Sequence, residues 1–163
     1  MASQRETLLA NIRTRLNAII GDATYSMGLT LESVQRYQMA WDGVERVANM
    51  LGNLPAIVIR EMSETCEVEA EGQWVNTLMV DVAVFIEDDA GSGARNLAVA
   101  DVKKALFAAT VGTGVWDGFG VGANSPSMTI SDVDTDSGLT LEAVHIQLTC
   151  TYTDLFGDPA SGG

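Results

Sequence analysis

The chain holds a single histidine, His145, and two cysteines, Cys66 and Cys150, in 163 residues. One histidine leaves little material for acid–base or metal chemistry, and two cysteines make neither a disulfide framework nor a zinc set. Both are read as free thiols, with Cys150 a small core residue on an apolar strand face. Basic residues are also scarce, nine against 22 acids, for a formal charge of −13. Only Lys103 and Lys104 are adjacent, so no basic patch is visible. Nucleic-acid binding draws on counterion release by Lys and Arg, and this composition argues against it. No apolar run approaches the ~20 residues that cross a bilayer. The opening "MASQRETLLANIRTRL" is charged and helical in pattern, unlike a signal peptide, so no membrane partner is expected.

What is present is a globular composition, 47% hydrophobic and 19% charged. A chain of this size can hide roughly 70% of its unfolded surface, so one domain over residues 1–163 is expected, with a flexible tail from about residue 157. Ser3-x-x-Glu6 resembles a capping box, and Leu8, Leu9, Ile12, Leu16, Ile19 and Ile20 follow at helical spacing. "LESVQRYQM" reads as a strand and "WDGVERVANML" as a short helix. "LPAIVIREM" is a strand with Pro55 at its start, where a missing N–H is tolerated. After "EDDAGSGARN", read as a polar turn, Ala98, Val99, Val102, Ala105, Leu106 and Ala109 form the stripe of a second helix. "SMTISDV", the acidic turn "DTDSG" and "LTLEAVHIQLTCTY" make a closing hairpin. The order gives an α+β fold, a mainly antiparallel sheet of four to five strands with helices packed on one face.

The strand "NTLMVDVAVFIEDD" poses the main question. Leu78, Val80, Val82, Val84 and Ile86 share one face; Met79, Asp81, Ala83 and Phe85 share the other. The first is a core face, expected to meet both helices together with Val144, Ile146 and Leu148. The second is too apolar for open water, so it requires a cover, from helices of the same chain or from another chain. We expect a neighbouring copy to cover Met79, Asp81 and Phe85 in part, and the acidic turn Glu87, Asp88, Asp89 and the Gly-rich 112–125 loop, with Trp116 and Phe119, to make end contacts.

Three motifs have plainer explanations. "GTGVWDGFGVG" fits neither nucleotide-binding glycine pattern and follows a helix, so it reads as a loop. "DVDTDSG" begins like a calcium loop, but its sixth position is Ser137 and its twelfth Ala143, so it reads as a solvated hairpin turn. Asp81, Arg60 and His145 can share a sheet face, most simply as a cross-strand ion pair. No catalytic residue, cofactor or metal is expected.

The amphipathic first helix, "LPAIVIRE", the long "WVNTLMVDVAVFIEDD" strand, the crossing helix "VADVKKALFAA" and a hairpin running into "TYTDLFGDP" together resemble the tail-terminator family of long-tailed bacteriophages, also described as minor tail or tail-completion proteins. Leu54, Pro55, Tyr152, Asp158 and Pro159 match structural marks of that pattern. The segment before Leu54 and the 112–125 loop are longer than its usual form. The resemblance spans about residues 5–159. It implies a hexameric ring that seats on the tail tube, stops its polymerisation and offers a surface to the head-side connector. The protein would reside at the virion neck after assembly in the host cytoplasm, and the family brings no catalytic residues. Two alternatives stand beside it: a head–tail stopper or adaptor of the same neck, and a small-molecule-binding or enzymatic domain using Asp81 and His145.

Overall fold

The computed structural model describes residues 3–20, 22, 24–26, 34–37, 54–69, 72–87, 91–107, 127–137 and 141–155. Helix α1 spans Gln4–Asn17. The Ser3 side chain accepts from the Glu6 backbone N–H at 3.2 Å, which satisfies one of the free donors of the first turn. Leu8, Leu9, Ile12 and Leu16 fall on one side and are buried. The second helix, α2, spans Gly91–Phe107 and buries Ala98, Val102 and Leu106 at four-residue spacing. Arg15 ties the two helices together by donating to the Leu106 carbonyl at 2.9 Å.

Five strands form one sheet: β1 (Val34–Tyr37), β2 (Ala56–Glu69), β3 (Gln73–Glu87), β4 (Ser127–Ser137) and β5 (Leu141–Leu155), in the order β1-β2-β3-β5-β4. Four of them are antiparallel in sequence along the sheet, while β1 lies parallel to β2. The fold is therefore α+β. The expected core also forms: Leu78, Val80, Val82, Val84, Ile86, Val144, Ile146 and Leu148 join Ile57, Ile59 and the buried residues of both helices in one cluster.

Several local expectations change. The strand expected over 31–39 is described only at Val34–Tyr37. Strand β2 continues through "SETCEVE" to Glu69, past the Met62 at which its apolar signal stops. There the pairing with β3 supplies what propensity lacks, and Gly72, with φ 82°, takes the left-handed conformation in the turn between them. Residues 134–137, expected in a turn, lie in β4. Asp132, Asp134 and Asp136 thus alternate along a strand, and the side chains of Asp132 and Asp134 are exposed. The turn expected over "EDDAGSGARN" gives way to helix from Gly91, because first-turn residues need no intrahelical N–H partner. The helix expected over 41–51, the 112–125 loop and the tail from 157 lie outside the described residues.

Lengths fix how the layers overlap. The 15 residues of β3 extend over roughly 50 Å at about 3.3 Å each. The 17 of α2 reach only about 25 Å at about 1.5 Å each. A helix running along the sheet covers half of it.

Two substitutions test this packing. Val82 has no exposed surface, so Val82→Asp buries an unpaired charge and is expected to cost of order 3–5 kcal/mol, giving insoluble protein. A soluble variant with an unchanged melting temperature would reverse the face assignment. A Cβ placed on exposed Gly93 meets nothing within 4 Å, so Gly93→Ala is expected to raise unfolding free energy by about 0.5–1 kcal/mol through helix propensity. Denaturant titration reads the gain.

Candidate interaction surfaces

Strand β3 carries Met79, Asp81, Ala83 and Phe85 on the face turned away from the helices, as its alternation requires. Its register with β2 sets Arg60 opposite Asp81, and its register with β5 sets His145 opposite Ala83. Three side chains from three strands converge as a result. Asp81 Oδ2 lies 2.8 Å from His145 Nδ1 and 3.6 Å from Arg60 Nη2, and the Asp81 side chain is 1% exposed. A buried carboxylate needs such neighbours to offset its lost hydration. Next along the face, Thr149 Oγ1 donates to the Met79 sulfur at 3.3 Å.

The expected interaction residues divide. Phe85 and Asp81 are buried within the single chain. The partial cover expected from a neighbouring copy is not needed at these two positions: Asp81, Ala83 and Phe85, with Val58 and Ala143 beside them, are already buried in one chain. Met79 is half-buried. Glu87 ends β3, paired in register with Leu141, and is not in a turn. Asp88, Asp89, Trp116 and Phe119 lie outside the described residues.

Sequence reasoning missed a different surface. Beyond the reach of the helices, the helix-side face of β2, β3 and β5 carries Val68 paired with Trp74, and Trp74 paired with Asp154. Val68 is 63% and Trp74 38% exposed. The root of this shelf is pinned by Arg5, which donates to Glu61 at 2.6 Å and to Glu64 at 3.2 Å. The Tyr152 hydroxyl donates to Glu64, and Asn76 donates to Asp154 Oδ2 at 2.9 Å. Desolvation raises the Tyr152 pKa above its ordinary value, with the Glu64 hydrogen bond acting in the same direction. Desolvation also raises the Asp154 carboxyl; Glu64 adds to this and the Asn76 bond opposes it. Asp154 Oδ1 is buried without a hydrogen-bond partner, consistent with that direction. The unusual length of two adjoining strands around Gly72 was the available signal for this shelf.

Both cysteines are free thiols, Cys66 exposed on the shelf and Cys150 buried in the core. Burial pushes the Cys150 thiol up to about 12, so it stays protonated and unreactive at neutral pH. Among the described residues no group of three or more potential ligands could hold a metal ion, and no helix is long and apolar enough to cross a membrane.

No family model matches the chain, and no curated protein matches it. Among solved structures, the fold is similar to a chain in the virion of a native gene transfer agent particle. The TM-score is 0.51 at 12% identity, covering 93% of this chain and 96% of that one. At that identity the likeness establishes a shared fold.

A pH-dependent consequence follows at Asp154. Because its folded pKa is raised, the group favours folding most below the unfolded value of 3.8, and that contribution is lost as pH rises through the folded pKa. Asp154→Asn removes the ionisation penalty. The variant is expected to show a higher urea midpoint than the parent at pH 7, with the difference closing below pH 3.8. A lower midpoint at pH 7 would contradict the desolvation argument.

Proposed function

We propose that this protein is a structural subunit of a phage or phage-like particle, a tail terminator that forms a ring on the tail tube, ends its polymerisation and presents the head-side joining surface. The observation that carries this reading is the fold likeness to a chain of a gene transfer agent virion over 93% of the protein. The order of elements in the chain, helix, strands, second helix and closing hairpin, also supports the reading. A closed ring suits termination, because it uses up lateral contacts and leaves two different end surfaces, one for the tube and one for the head side.

The role is structural and uses no catalysis, cofactor or metal. The Asp81–His145 contact, the only histidine's, is understood as part of a cross-strand network with Arg60 that stabilises the sheet. An acidic subunit with a charge of −13 also suits a channel through which DNA passes, since it repels the phosphate backbone.

The test is removal of the protein from assembling particles, followed by electron microscopy. Overlong tails lacking heads are expected. Tails of normal length without heads would assign the protein to a stopper or adaptor position, and normal particles would overturn the assembly role.

A further inference from the structure

The shelf and the outer face of α2 are complementary. Along α2, Leu97, Ala100, Lys103 and Lys104 are exposed at helical spacing, with Leu97 50% exposed. This gives an apolar centre followed, toward the C-terminal end of the helix, by the exposed positive charge of Lys103. The shelf offers the converse, Val68 and Trp74 beside Asp154. On the single chain, Leu97, Val68 and Trp74 each leave apolar surface in water, worth roughly 25 cal/mol per Å² once covered. The shelf is also the unused half of a surface that already binds helices, the same sheet face extended past their reach.

We propose that the shelf formed by Val68, Trp74 and Asp154 is the socket for the outer face of helix α2 of a second copy, so that each subunit continues its helix layer onto the sheet of the next. The inference rests on the ring reading and names the surfaces that build the ring. The two surfaces are different, so the contact is head-to-tail and propagates in one direction until it closes. Lys103 approaching Asp154 places a positive charge beside a carboxylate whose Oδ1 is buried without a partner in the single chain, which makes the orientation specific.

The exposed thiol of Cys66, one pair of residues from Val68 on the same face, provides the probe. Ala100→Cys sets a second thiol at the middle of the exposed α2 face. Both positions are exposed, so the fold should be kept, which an unchanged melting curve would verify. Diamide oxidation at high protein concentration removes one hydrogen from each thiol and joins Cys66 of one copy to position 100 of the next. The expected result is a ladder of disulfide-linked multimers extending beyond the dimer, abolished by Cys66→Ser and reduced several-fold by Val68→Asp or Lys103→Glu. Dimers alone, or monomers alone, would overturn the proposal, because a like-with-like contact cannot extend and an absent contact cannot link. A ladder from a protein whose removal leaves tails normal would keep the contact and discard the assembly role. No ladder from a protein whose removal gives overlong tails would discard the contact and keep the role.

Discussion

Strand β3 is hydrogen-bonded on both sides along nearly its whole length, to β2 from Gln73 to Phe85 and to β5 from Gln73 to Glu87. Its register therefore sets both neighbours, and through β5 it sets β4. A one-residue slip would turn Leu78, Val80, Val82 and Val84 away from both helices and drive Asp81 into the core. Such a slip is blocked twice. The helix side is filled by Leu8, Leu9, Ile12, Val102 and Leu106, and the opposite side holds Asp81 against His145 and Arg60. Both faces of one strand specify the same answer, which is the consistency a unique fold needs.

That consistency explains what could be read in advance and what could not. The core stripe of β3, the two helical stripes and the cross-strand meeting of Arg60, Asp81 and His145 follow from periods of two and 3.6 residues, which are local properties of the chain. The far half of β2 was illegible because "SETCEVE" carries one strongly apolar residue, and its strand state depends on pairing with β3. The acidic run in β4 looked like a turn for the same reason, yet its pairing with β5 holds it extended. Burial of Phe85 shows the sharper limit. Alternation can say that a face must be covered, but the covering element is a non-local fact.

Among the described residues, most of the positive charges are engaged inside the molecule. Arg5 holds Glu61 and Glu64, Arg60 approaches Asp81, Arg95 pairs with Glu142 at 2.9 Å, and Lys104 donates to the Thr24 carbonyl while lying over the Tyr25 ring. The exposed acids of β4, Asp132 and Asp134, lie on a strand at the end of the described sheet order. Acidic side chains there oppose edge-to-edge pairing between copies of a like-charged protein.

Whether this fold works as a ring at the end of a tail, as proposed, is decided by cryo-electron microscopy of assembled particles. The five-stranded sheet and its two helices are expected to fit density repeated around a closed ring between the tail tube and the head-side connector. Finding the fold as isolated copies, inside the capsid, or at the opposite end of the tail would contradict it.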